Sequence, residues 1–278
     1  MNNKGQIIIT DILLYLIILT IILGIIVYAV ETVNDNQINR LNNKEINNLL
    51  EDSLSTLTKT SGTPDNWEKI NTQNIKTIGL KSNNNKYISY DKLNKLKNNK
   101  ELLNNNFPET IEYTLTLYPK NNKDNIEHIA GKNNISNRKQ VYAKEVPIII
   151  DYDFKLTSLK EKTDETCVYN HDNQWTCTSI TISKTLLEQG EYYIITDSNT
   201  NYILTNTYSE NITGQTNNKI KINNQLQQLK KNENQTITIH TKTVSNNTCL
   251  VYDKNNREKY LGEVLKPEVY ILNMKIAR

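Results

Sequence analysis

The stretch Ile12–Val30, ILLYLIILTIILGIIVYAV, constrains this chain more than any other. It carries no charge. Its polar members are the mild Tyr15, Thr20 and Tyr28, and Gly24 is its one flexible point. As a helix rising 1.5 Å per residue, this length just crosses a hydrocarbon layer of about 30 Å. Ile7, Ile8 and Ile9 extend the apolar character on the near side of Thr10 and Asp11. A segment of this kind is expected to anchor the chain in a membrane.

The flanks argue that the anchor is kept. A secretory signal has small residues at a cleavage site behind its apolar core. Here Glu31, Thr32, Val33, Asn34 and Asp35 follow, and Ala29 is the only small residue at that edge. Lys4 and the amino terminus precede the span, while Glu31 and Asp35 follow it. The positive-inside bias then predicts a cytoplasmic amino terminus and an external remainder.

Beyond Val30 the helix is expected to continue. Ile38, Leu41, Ile46, Leu49, Leu50, Leu54 and Leu57 fall on one stripe at helical spacing. Asn39, Arg40, Asn43, Lys44, Asn47, Glu51 and Asp52 occupy the other face. Ser61-Gly62-Thr63-Pro64 stops it, because Gly suits the position after a helix end and Pro cannot continue one. The reading is one helix from about residue 7 to about residue 59, roughly 80 Å long. Its first half is apolar all round, and its second half is amphipathic and has a globular domain to cover.

Two motifs carry a family resemblance. Lys4-Gly5-Gln6, directly followed by the apolar run, resembles the class III signal peptide of archaeal type IV pilin-like proteins. Ser61-Gly62-Thr63-Pro64-Asp65-Asn66-Trp67-Glu68 resembles the segment that follows the long helix in such proteins, and Ile78-Gly79-Leu80 and Lys92-Leu93 with Leu96 fit the same pattern. The likeness spans roughly residues 4–118. It implies a prepilin peptidase that cuts between Gly5 and Gln6, in front of the helix, and assembly of the helix with copies of itself or with other pilin-like subunits. Many members carry an acid at the fifth mature position. Here that position is Thr10, and the acid is Asp11, one step later. Asp11 therefore has two readings: pairing with a neighbour's new ammonium in a filament core, or solvation in the first helical turn at headgroup level.

The implied organisation is a leader over 1–5, a long helix over 6–60 containing the span 12–30, a connecting region with a short helix over 61–110, and a β-rich domain over 111–278. Trp67 is read as an anchor packed back on the helix, Tyr87–Tyr90 as a short strand and Asp91–Leu103 as a short surface helix. From Ile111 the period becomes two: Ile111, Tyr113, Leu115 and Leu117 alternate with polar residues. Further strands are expected at Gln140–Lys144, Pro147–Leu156, Thr236–Val244, Cys249–Tyr252 and Glu268–Ile276. Pro147 belongs at an edge or a strand start. Glu191–Thr196 and Tyr202–Thr207 around Asp197–Asn201 read as a hairpin, and Gln225–Lys231 as a helical turn. The fold class is α+β: a long N-terminal helix followed by an antiparallel, β-rich extracellular domain.

The net charge of +3, from 33 basic and 30 acidic residues, argues against a nucleic-acid partner, which requires a basic face. Cys167 and Cys177 flank a short turn and form a disulfide candidate, favoured by an oxidising exterior. Free thiols are the alternative, and Cys249 can replace either partner. Three cysteines and one nearby histidine lack paired C-x-x-C spacing, so no metal site is expected. His128, His171 and His240 are scattered. No Ser-His-Asp order, H-E-x-x-H or Gly-rich phosphate loop appears, so neither enzymatic activity nor a cofactor is expected. Asp151 and Asp153 share one face of a presumed strand and permit a carboxylate pair. Asn134, Asn211, Asn234 and Asn246 head N-glycosylation sequons, meaningful if the domain is exported. In an Asn-rich chain, several such triplets also arise by chance.

Two functions follow as expectations. The first is a minor or accessory subunit of a type IV pilus-like surface filament, serving adhesion at the cell surface. About 220 residues outside the long helix is large for a major subunit. The second is a single-pass anchored surface protein that binds a ligand or partner without polymerising.

Overall fold

The computed structural model describes residues 3–83, 86–135, 140–159, 175–242 and 247–278. Within the first helix it describes side chains at 14–33, at 37 and from 43 onward. The molecule is mixed α+β, with an N-terminal apolar helix and antiparallel sheets beyond it.

Helix α1 runs unbroken from Asn3 to Lys59. It starts four residues before the expected position, because Asn3 to Gln6 offer nothing that stops a helix. Its downstream half buries Ile46, Leu50, Leu54 and Leu57, each at most 4% exposed. These positions recur every three or four residues and so lie on one face. Burying each such side chain contributes about 1.5–3 kcal/mol, which holds this half of the helix on the domain. The polar face behaves as read: Lys44, Asn47, Glu51 and Asp52 are exposed.

The stop after Lys59 is built from the SGTPDNWE segment. Strands β1 (Gly62–Thr63) and β2 (Thr77–Ile78) pair beneath the helix end. Gly62 has φ +86°, and a Cβ there would lie 2.7 Å from the Trp67 ring; only glycine meets both demands. Trp67 is fully buried and donates its indole N–H to the Gly79 carbonyl at 2.8 Å. The amides of Leu80 and Lys81 cap the helix carbonyls of Leu57 and the Thr60 carbonyl.

Strand β3 (Ile88–Ser89) and helix α2 (Tyr90–Asn98) follow, then β4 (Glu112–Pro119), β5 (Glu127–Gly131) and β6 (Val141–Asp151). Leu93, Leu96 and Leu103 are buried as expected, although α2 ends before Leu103. Tyr87–Tyr90 shrinks to the two residues of β3, because Ser89 caps α2 by accepting from the Lys92 amide. The two strands read at Gln140–Lys144 and Pro147–Leu156 are one strand to Asp151. Pro147 lies inside it, opposite Ile271. β3 reaches β6 only at Ile150 and Asp151, so one side of β6 is open at Pro147, where a residue without an N–H is tolerated.

After β6 come β7 (Lys155–Ser158), β8 (Trp175–Ser183), α3 (Lys184–Gln189), β9 (Glu191–Thr196), β10 (Thr200–Asn206), β11 (Asn211–Thr216), β12 (Lys219–Lys221), α4 (Asn223–Leu229), β13 (Asn234–Lys242) and β14 (Thr248–Asp253). Strand β15 (Val269–Ala277) returns to the first sheet, whose order is β3-β6-β15-β4-β5. β15 therefore pairs directly with both β6 and β4. Leu272, Met274 and Ile276 on β15 face the same core as the α1 stripe. We call this part the body.

The strands and helices from β7 to β14 are inserted between two neighbouring strands of the body and build a second core. Two four-stranded sheets, β11-β10-β13-β8 and β12-β9-β14-β7, enclose Ile182, Ile194, Leu204, Ile237, Ile239 and Leu250. We call this the head. β9 and β10 do not form the expected hairpin: β9 pairs with β12 and β14, and β10 with β11 and β13. The chain crosses from one sheet to the other at Asp197–Thr200. Both strands are buried along nearly their whole length rather than alternately, as strands covered on both faces are.

The head leaves the body at the end farthest from the apolar helix. β6 runs alongside α1 in the same direction: Tyr142 donates to Asn43 at 2.6 Å, and Lys144 pairs with Glu51 further along. Thr58 and Lys59 share a groove with Ile148 and Ile149. The joint is aromatic and charged. Tyr260 stacks on Tyr152 at 4.2 Å and leans on Tyr90. Arg257, 7% exposed, pairs with Asp91, donates to the Tyr152 carbonyl at 2.6 Å and lies over the Tyr90 ring. Leu261, in the same connecting segment, packs on Tyr193, Ile195 and Val251 of the head.

Candidate anchor and assembly site

The candidate site is the upstream half of α1. From Leu14 to Val33, 20 residues of mean hydropathy 2.6, none is buried within the protein. Large apolar side chains point in every direction, from Leu19 at 38% exposed to Tyr28 at 72%. A helix apolar on all sides has no folded-state partner in water. By length and composition it is a candidate membrane span or signal anchor.

Its two threonine hydroxyls are satisfied inside the helix. Thr20 donates to the Ile17 carbonyl and Thr32 to the Tyr28 carbonyl, each at 2.8 Å. In an apolar surround an unpaired hydroxyl costs several kcal/mol, so these bonds suit the segment to hydrocarbon. Tyr15 and Tyr28 lie near its two ends, where amphipathic rings suit the membrane interface. At Gly24 nothing lies within 4 Å of a Cβ position, so the glycine answers to no contact within this chain. The helix then continues through Asn34, Asp35, Asn36 and Gln37. From Val33 to Asn43, the first described side chain bonded to the body, the helix rises about 15 Å.

Lys4, Gly5, Gln6, Thr10 and Asp11 lie on the helical backbone at the start of α1. Their side chains lie outside the described residues, so both readings of Asp11 stand as they did.

At the other end of α1 a buried lysine clamps the helix stop. Lys92 is 1% exposed, and its ammonium donates to the carbonyls of Ser61 and Lys81 and to Asn83 Oδ1, at 2.8–3.1 Å. All three of its protons are used. Burial holds its pKa below the usual lysine value, and the charges of Glu68 and Asp65 act against that shift. The sequence placed Lys92 in a family pattern, but nothing in it signalled a buried ammonium.

The remaining candidates separate. Cys167, His171 and Asn246 lie outside the described residues. Cys177 and Cys249 do not pair with one another. Cys177 belongs to β8 and lies 3.2 Å from His240 Nδ1, on the side of that sheet away from the head core. Cys249 belongs to the opposite sheet and packs with Phe154 and Leu265 on its outer side. Sheets pack about 10 Å apart, beyond the reach of a disulfide. Burial pushes the Cys249 thiol up to about 11. His240 is fully buried and bridges Cys177 and Thr205, whereas His128 sits in the body on β5. The Asp151–Asp153 pair on one strand face is not formed: β6 ends at Asp151, and Asp153 has φ +57°. Asp151 instead accepts from Ser82 and from the Asp153 amide. Among the described residues no group of three or more His, Cys, Asp or Glu side chains is placed to hold a metal ion.

Asn134, Asn211 and Asn234 are all exposed. Comparison of the chain with protein-family models, with characterised proteins and with solved structures finds no match.

Proposed function

We propose that this chain is a type IV pilin-like subunit, of the minor or accessory kind, without enzymatic activity. The precursor is held by the Leu14–Val33 span with its amino terminus inside the cell. A prepilin peptidase removes residues 1–5. The bare helix then exchanges lipid for the helices of other subunits, identical or related, while body and head stay outside. The observation that carries the reading is the single helix of 57 residues, bare on all sides at 14–33 and one-sided at 46–57. Lys4-Gly5-Gln6 ahead of it and SGTPDNWE behind it support the same reading.

Amino-terminal mass spectrometry of the protein from its own cells tests it. The expected mature chain starts at Gln6, and a Gly5→Leu variant keeps its first five residues. A native chain that starts at Met1, or after Ala29, overturns the reading. The head favours a second reading, because an inserted domain with its own core suits ligand binding by a subunit that never polymerises. Sheared filaments that contain the chain support the first reading; recovery only with membranes supports the second.

A further inference from the structure

We propose that Asn211 and Asn234 carry N-linked glycans, and that these sheathe the exposed end of one face of the head. The inference rests on the reading that the head is exported. Both residues belong to the sheet β11-β10-β13-β8. Asn211 stands opposite Thr205, and Thr205 opposite Thr238, so these three share a face. Asn234 lies on that face as well, four residues before Thr238 on the same strand. The opposite face of the sheet is the head core, where Leu204, Ile237 and Ile239 pack and where Ile212 contributes from β11.

Strand geometry presents both sequons ready for transfer. In Asn211-Ile212-Thr213 and Asn234-Gln235-Thr236 the middle residue turns inward, and Gln235 is 2% exposed. The asparagine and the threonine two positions on therefore turn outward together. Asn211, Thr213, Asn234 and Thr236 are all exposed. None of the four side chains takes part in a described hydrogen bond, whereas Asn206 and Asn223 in the same head are tied to their neighbours. These two sequons are also the two whose three residues are all described. Ser179 and Thr181 beside them are exposed as well, whereas at the other end of the face, where Thr213 stands opposite Ile203 and Ile203 opposite His240, Ile203 and His240 are buried. At two strand spacings across and four residues along, the two sites are roughly 16 Å apart.

The donor is an oligosaccharide joined through phosphate or pyrophosphate to a lipid, used by an external oligosaccharyl transferase. The amide Nδ2 forms a bond to the sugar anomeric carbon as the bond from that carbon to the phosphate oxygen breaks. The lipid phosphate leaves with the electron pair, and the amide proton passes to a base of the transferase. No oxidant or reductant is needed. A face carrying two glycans is closed to close packing against another subunit, so contacts between copies fall on other surfaces.

The test uses the full chain from its own cells, analysed by intact mass and by glycopeptide sequencing. In parallel, a membrane-impermeant amine label on intact cells reports export. The expected result is a labelled protein with glycan on both asparagines. N211Q and N234Q each lose one glycan mass; Thr213→Val loses the glycan on Asn211, and Thr213→Ser keeps it. A protein labelled from outside but bare at both sites overturns the proposal and leaves the pilin-like reading intact. Glycan confined to Asn134 or Asn246 overturns it equally. A chain that is neither labelled nor glycosylated overturns both.

Discussion

The two halves of α1 share one backbone and one secondary structure, yet they answer to different solvents. Between Ile46 and Leu57 the apolar positions lie on one stripe, and the body covers that stripe. Between Leu14 and Val33 the apolar positions go all the way round, and the protein covers none of them. Helix propensity does not separate the two halves; the angular spread of apolar side chains does. A single stripe is satisfied by one sheet, whereas a full cylinder of apolar surface needs lipid or several other helices. The mismatch leaves one end of α1 without cover from this chain.

The sharpest way to break this comparison is the same truncation in each half. Leu54 is 1% exposed in the body core, and Leu54→Ala is expected to cost about 2–5 kcal/mol, as lost transfer energy plus a cavity. Leu23 is 52% exposed on the bare half and touches nothing in the body. Leu23→Ala is expected to leave chemical unfolding of the body, followed in detergent, where it was. Equal losses at both positions would mean that the bare half folds back on the domain.

A charge sharpens the comparison from the other side. Ile22 lies near the middle of the span. An arginine at the centre of a membrane helix costs about 2.5–3.5 kcal/mol on insertion scales. Ile22→Arg is therefore expected to lower the equilibrium constant for membrane insertion at least tenfold, while the melting temperature of the body stays fixed. Fractionation and circular dichroism on the same samples separate the two quantities. A variant that inserts as well as the parent would remove lipid as the partner of this half.

Much of this contrast is legible in the residues. Ile46, Leu50, Leu54 and Leu57 announce their stripe by spacing, and Gly62 and Pro64 announce the stop by backbone chemistry. Trp67 behaves as an anchor because a large apolar ring beside a helix end has few other places to go. The head was not legible as a separate unit. Its strands carry the same period-two signal as those of the body, and no linker rich in Gly or Pro marks Tyr152 or Glu268. What separates head from body is pairing: β15 returns between β6 and β4, and pairing over more than a hundred residues leaves no local trace. The false hairpin at β9 and β10 has the same origin, because Asp197–Asn201 turns the chain equally well within a sheet or between two. Lys92 escaped notice for another reason. A buried ammonium is readable only from the three oxygens around it, and Ser61 comes from one turn of the chain while Lys81 and Asn83 come from another.

The smallest effect tests where one half of α1 gives way to the other. Tyr142 on β6 donates to Asn43 Oδ1 at 2.6 Å, and this is the described contact nearest the bare half. Tyr142→Phe keeps the ring and removes the hydroxyl. A side-chain hydrogen bond of this kind contributes about 0.5–1.5 kcal/mol net, so global stability should move by no more than that. The informative readout is local. Ile46 is the first buried side chain among the described residues, and the amide hydrogens at 43–45 lie just upstream of it, so opening there takes no described core residue out of place. In Tyr142→Phe their exchange is expected to quicken severalfold, while amides at 50–57 exchange as before. If exchange quickened through Leu57, the packed half would depend on this single hydroxyl rather than on its four buried side chains. If nothing quickened, the boundary would lie further upstream, and the 15 Å of helix beyond Val33 would have a partner of its own.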